Sequence, residues 1–179
     1  MWLAFFQVNK KLKKGVYALL KNRFLTESME DYLEMFYRII QEQGYIRPID
    51  LSKAIKVKPS SVTRMIQKLD EAKFITYEKY RNIALTAKGL SYGHFLVWRD
   101  QTLKNFLYLV KASTGVEEQV EGIEHYITPP TMSIIRNLIL YFTSHPERLK
   151  ELEALHKENL YPDNNDFKQL RAWLFKHHN

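Results

Sequence analysis

The chain has 179 residues, carries 27 Lys+Arg against 20 Asp+Glu for a formal net charge of +7, and contains no cysteine. Its 45% hydrophobic and 13% aromatic content is enough to bury a core, which excludes global disorder, and the missing cysteine excludes disulfides, thiolate metal sites and cysteine nucleophiles. The positive balance points to a polyanionic partner, either nucleic acid or an anionic membrane surface.

The charge is unevenly placed. Residues 1–25 hold six basic residues and no acid, 26–92 hold eleven basic and nine acidic, and 93–179 hold ten basic and eleven acidic. The first segment reads as a basic amphipathic extension, with Phe5, Val8, Leu12, Val16, Leu19 and Leu20 near helical spacing. Its apolar start is too short to span a membrane. Its positive charges follow the apolar block, the wrong order for a secretory signal. A peripheral extension packing on the main domain is expected, with a membrane-surface or DNA-touching arm as the sharper alternative.

A first helix opens at Ser28-Met-Glu-Asp31, which resembles a capping box, and ends at Gly44. Tyr32, Phe36, Ile39 and Ile40 form its apolar stripe. A short helix from Asp50 to about Ile55 and another from Pro59 to about Ala72 form a helix-turn-helix pair, with Pro59 at the favoured first position. Val62, Ile66 and Leu69 face inward. Residues 74–86 alternate like two strands bending near Arg81-Asn82, where Asn tolerates the left-handed backbone. Helix-turn-helix followed by hairpin is the layout of a winged helix. A long helix is expected from Ala87 to about Lys111, another from Val116 to Tyr126, and a strongly apolar one from Thr131 to Phe142. The rest is charged and carries a loop at Tyr161–Asn165. The fold class is therefore mainly α. Its expected parts are the extension 1–25, a winged helix-turn-helix 26–92, a helical metal-binding and dimerisation domain 93–145 and a charged helical segment 146–179.

Three groups of residues carry chemistry. Ser60, Ser61, Thr63, Arg64 and Gln67 lie off the apolar stripe of the second helix of the pair, flanked by Lys58 and Lys68. Short hydroxyls at a helix N-terminus suit phosphate contacts, and Arg and Gln read base edges. Lys79 and Arg81 on the hairpin extend the surface. From Arg47 to Lys88 ten basic residues face four acids, a local charge of +6. Glu121, Glu124 and His125 share one face if helical, which would waste solvation unless they hold a cation. A solvated acidic face is the plain alternative. Asp31 and Glu34 repeat the pattern, although capping and the helix dipole are the stronger explanation of Asp31 from the residues alone. The other histidines, including His177-His178, carry little signal, and the sequence has no phosphate loop, nucleophile elbow or zinc-protease motif.

Ser28–Tyr32, Pro59–Thr63, Gln67–Asp70, Tyr77–Arg81, Leu85-Thr86 with Lys88-Gly89, and Val120–His125 resemble, in order and spacing, motifs of the manganese branch of the diphtheria-toxin-repressor family of metal-dependent repressors. The likeness covers about residues 26–145. It implies a homodimer that binds a near-palindromic operator in double-stranded DNA, with no enzymatic activity, no small-molecule substrate and a cytoplasmic location. It also implies a site for Mn2+, two ions per subunit, with ligands Asp31, Glu34, Glu121, Glu124 and His125. The family's sixth ligand is a histidine in a Tyr-Arg-His stretch. Here the stretch is Trp98-Arg99-Asp100, so Asp100 takes that place. The added carboxylate is expected to raise cation affinity and loosen selectivity, admitting other divalent ions such as calcium or magnesium. The alternatives are a winged-helix regulator with an altered or lost metal response, a metal-dependent hydrolase and a membrane-bound interaction protein.

Overall fold

A computed structural model describes residues 25–55, 57–77, 83–112, 115–156 and 167–177. The extension through residue 24, the bend with Lys79 and Arg81, and the 161–165 loop lie outside the described residues. The chain divides into two compact units, one ending at Val97 and one beginning at Trp98.

The first unit begins with α1, Glu27–Gln43. Its N-cap is Thr26, whose hydroxyl accepts from the Met29 N–H at 3.4 Å. The expected start at Ser28 is thus corrected by two residues: Ser28 lies within the first turn and caps nothing. Gly44 ends the helix as expected, at a φ of 75° that closes its N–H onto the Ile40 carbonyl. Helix α2, Pro48–Ile55, and α3, Pro59–Glu71, follow. Strands β1, Ile75–Thr76, and β2, Ala84–Leu85, pair antiparallel, Ile75 opposite Leu85. Between α3 and β1 the chain reverses through Lys73 at a left-handed φ of 63°.

Periodicity explains the packing. Leu33, Phe36, Leu51, Val62, Ile66, Leu69, Ile75 and Leu96 recur at helical or strand spacing and are fully buried together. This three-helix core with its small wing is the expected winged helix-turn-helix. Leu96 comes from α4, Ala87–Leu109.

The start of α4 is tied to the end of α3. The Thr86 hydroxyl accepts from the Gly89 N–H at 3.0 Å and lies 2.8 Å from the Lys73 carbonyl and 3.1 Å from that of Phe74. A Cβ on Gly89 would overlap the Phe74 carbonyl oxygen, and one on Gly93 would lie 2.8 Å from the Tyr37 Cβ. Both glycines therefore let α4 approach neighbouring backbone and helix closely. Glu30, buried in α1, accepts from the Tyr92 hydroxyl on α4 at 3.0 Å.

The second unit holds the remainder of α4 with α5, Val116–Ile123, a 3₁₀ turn, Glu124–Tyr126, α6, Pro129–Ser144, and α7, Pro146–His156. Leu103, Val116, Val120 and Met132 form its small core. Helix α8, Phe167–His177, closes the described chain. Among the described residues no helix is long and apolar enough to cross a membrane.

Two substitutions test the α4 seat. Gly89→Ala should destabilise the protein by about 1–3 kcal/mol, because the Phe74 backbone cannot yield cheaply. Thr86→Ala should cost about 1 kcal/mol through the lost cap. Urea denaturation followed by circular dichroism checks both, and no loss in either would show that the seat is not tight.

Candidate functional site

The exposed side of α3 follows from its buried side. Val62, Ile66 and Leu69 turn inward, so Ser60, Ser61, Thr63, Arg64, Gln67 and Lys68 are all exposed, as is Lys58 at the N-cap. No side chain caps this helix. Its positive end lies on the same exposed side as the hydroxyls and cations. Thr63 differs from the expectation in one respect. Its hydroxyl donates to the Pro59 carbonyl at 3.1 Å, so the proton points into the helix rather than outward.

The local basic surface is also smaller than its count. Arg47 pairs with Asp50 at 3.1 Å, and that hydrogen bond raises the guanidinium pKa above its ordinary value. The Lys88 ammonium sits 3.1 Å from the Ala72 carbonyl and 4.0 Å above the Phe74 ring. These two cations serve the fold. Lys53, Lys58, Arg64, Lys68 and Lys73 are exposed.

The acidic residues are divided between the units. In the first, Asp31 and Glu34 are half-buried on α1. Because the helix is capped by Thr26, the first-turn acids are Glu27 and Glu30. The capping explanation for Asp31 is therefore removed. Glu34 accepts from Arg38 on the same helix, at 2.9 Å from Nε and 2.7 Å from the terminal nitrogen.

In the second unit the expected single helix from Val116 to Tyr126 is broken. Helix α5 stops at Ile123 and the chain tightens into the 3₁₀ turn. Glu121, Glu124 and His125 therefore do not share one α-helical face: Glu121 is exposed, Glu124 is 4% exposed and His125 is half-buried. Glu124 instead continues the buried face of Val116 and Val120, each four residues apart, and its N–H still closes onto the Val120 carbonyl. Asp100 is buried on α4, with Lys104 one turn later at 2.8 Å.

Sequence reasoning passed over Arg99. It is 3% exposed, with Nε 3.6 Å from Glu124 Oε2 and a terminal nitrogen 3.3 Å from His125 Nδ1. The imidazole Nε2 is 3.8 Å from the other Glu124 oxygen. The Asp100–Lys104 and Glu34–Arg38 pairs were readable as i, i+4 spacings. The Arg99 contact was not, because it joins residues 25 apart in sequence. A buried carboxylate, an imidazole and further carboxylates without sulfur make a donor set that fits hard or borderline divalent cations.

A winged reading head followed by a helical unit with this donor set defines a metal-dependent DNA-binding transcriptional regulator. Two family models match: the iron dependent repressor N-terminal DNA-binding domain over residues 24–83, and the iron dependent repressor metal-binding and dimerisation domain over residues 86–153. The chain belongs to this family of metal-dependent repressors, known from the diphtheria toxin repressor; its members are transcriptional regulators rather than enzymes. It is 42% identical over 139 residues to the HTH-type transcriptional regulator MntR of Shouchella clausii, covering 77% of this chain and 97% of that one. It is 43% identical over 138 residues to the MntR of Bacillus subtilis, covering 74% and 94%. The solved structure of the manganese regulator SloR shares the fold at a TM-score of 0.56 and 22% identity, over 63% of this chain; the chain spans about half of that structure, 54%.

Removing the Lys104 ammonium would leave Asp100 buried with one cation fewer. Lys104→Met should lower stability in chelator by about 1–2 kcal/mol, and Asp100→Asn in the same chain should recover part of the loss. A double-mutant cycle by urea denaturation measures the coupling, and additive losses would show that the pair is not coupled.

Proposed function

We propose that this protein is a manganese-responsive transcriptional repressor of metal-uptake genes, acting in the cytoplasm as a homodimer on a near-palindromic operator. The observation that carries the reading is the buried Glu124 beside His125, within a chain more than 40% identical to MntR regulators over almost their whole length. Lys58, Ser60, Ser61, Arg64, Gln67 and Lys68 present the DNA-reading face, with Thr63 as an acceptor and Lys79 and Arg81 joining them from the sequence between β1 and β2.

Asp31 and Glu34 from the first unit, and Asp100, Glu121, Glu124 and His125 from the second, would hold Mn2+, two ions per subunit. Bound there, a divalent cation supplies positive charge to a set of like charges drawn from both units. The five carboxylates repel one another when uncompensated. That repulsion opposes a fixed arrangement of the two units, and its relief favours the arrangement in which paired reading helices enter successive major grooves. Lys104 beside Asp100 offsets part of the charge that the carboxylate adds. In α6, Ile134, Leu138 and Tyr141 are spaced by four and three residues and exposed at 60%, 38% and 47%. They form a stripe suited to a subunit seam.

Two measurements test the assignments. Calorimetric titration should show that Asp100→His narrows binding towards Mn2+ over Ca2+, whereas unchanged selectivity would remove Asp100 from the ligand set. In gel shifts with promoter DNA of manganese-uptake genes, Arg64→Ala should cost about 1–3 kcal/mol and relax sequence preference. Lys68→Ala should weaken all sequences alike and reduce the salt slope by about one. An Arg64→Ala protein that binds as the wild type does would place the reading face elsewhere.

A further inference from the structure

Arg99 is a full positive charge buried against two of the proposed ligands. Its side chain is 4% exposed, and those of Glu124 and His125 are 5% and 7% exposed. Burial of such a charge is tolerated only where opposite charge and lone pairs receive it. Two of the receiving groups are the Glu124 oxygen at 3.6 Å and the His125 Nδ1 lone pair at 3.3 Å.

The imidazole contact has a chemical consequence. A guanidinium nitrogen can only donate, so His125 accepts at Nδ1 and, when neutral, carries its proton on Nε2. In that arrangement neither ring nitrogen is ready to ligate. Nδ1 is engaged by Arg99, and Nε2 holds a hydrogen, with a Glu124 oxygen 3.8 Å away. Ligation at Nδ1 requires the guanidinium to withdraw, and ligation at Nε2 requires the proton to move. Glu124 is subject to the same competition, since a guanidinium and a divalent cation seek the same oxygens.

We propose that Arg99 is an internal competitor of the metal: a positioning residue that holds Glu124 and His125 together and sets the metal concentration at which the regulator responds. The two side chains do not need a metal to remain buried, and binding is weakened by the cost of displacing the guanidinium. Arg99 lies in α4 one residue before Asp100, so its withdrawal is a movement of its own side chain.

This inference rests on the proposed metal reading, and the experiment separates the two. Manganous ion is titrated calorimetrically into the full-length wild type, Arg99→Met, Arg99→Lys and Glu124→Gln. Melting temperatures are recorded for each in chelator and in saturating Mn2+. Arg99→Met should bind Mn2+ tighter by about fivefold or more. It should also melt below wild type in chelator yet close to it with Mn2+. Arg99→Lys, which keeps the charge without the fork, should fall between. If Arg99→Met binds Mn2+ as tightly as wild type or more weakly, Arg99 is structural and the competitor role is wrong, while the metal reading survives through the loss of binding in Glu124→Gln. If wild type and Glu124→Gln take up Mn2+ alike, the metal reading is wrong and the competitor role falls with it. Should Arg99→Met not fold in chelator, the Arg99→Lys titration decides: affinity at or below wild type overturns the proposal.

Discussion

A carboxylate removed from water needs a cation, and the second unit is organised around that requirement. Glu124 is turned inward because it stands four residues after Val120 and eight after Val116, on the buried face of α5. Once inside, it needs compensation, because an isolated buried carboxylate would be protonated rather than charged. Arg99 supplies part of that compensation, and His125 stands beside both. Asp100, the next residue along α4, repeats the situation with Lys104. The unit thus has a small apolar core, Leu103, Val116, Val120 and Met132, and a layer of balanced charge. Such a layer contributes less to stability than apolar packing of equal volume. Its sensitivity to an added cation makes it suited to a switch.

Helix α4 supplies side chains to both cores, Leu96 to the first and Leu103 to the second. Its N-terminal part is tightly seated: Gly89 and Gly93 allow close approach, and the Thr86 hydroxyl joins the helix to the turn after α3. The residues that end the reading helix are therefore in direct contact with the residues that begin α4. Further along the same helix lie Arg99 and Asp100.

Much of the fold was legible in the sequence because its period is regular. Val62, Ile66 and Leu69 in α3, and Phe36 in α1, lie where the helical spacing puts them. Gly44 and Pro59 mark a helix end and a helix start for local steric reasons that need no tertiary context. The failures are equally physical. Thr26 rather than Ser28 caps α1 because capping depends on which hydroxyl meets an N–H, and Ser28-Met-Glu-Asp31 satisfied a pattern without that geometry. The break after Ile123 follows Gly122 by one residue, but a lone glycine inside a helical pattern does not fix where the winding changes. The candidate site was legible in its acids and imidazole, which stand out as residue types. Its buried cation was not. Arg99 meets Glu124 only through the tertiary fold, and composition cannot distinguish it from Arg47 or Arg148, which pair at the surface.

The central claim is that metal and DNA binding are coupled in one molecule. The most direct measurement is fluorescence anisotropy of labelled promoter DNA from manganese-uptake genes, titrated with the full chain at fixed salt in Mn2+ and in chelator. The account predicts tighter binding with Mn2+ by about 5- to 150-fold, the usual range of an allosteric coupling. Equal affinity in the two conditions would contradict it.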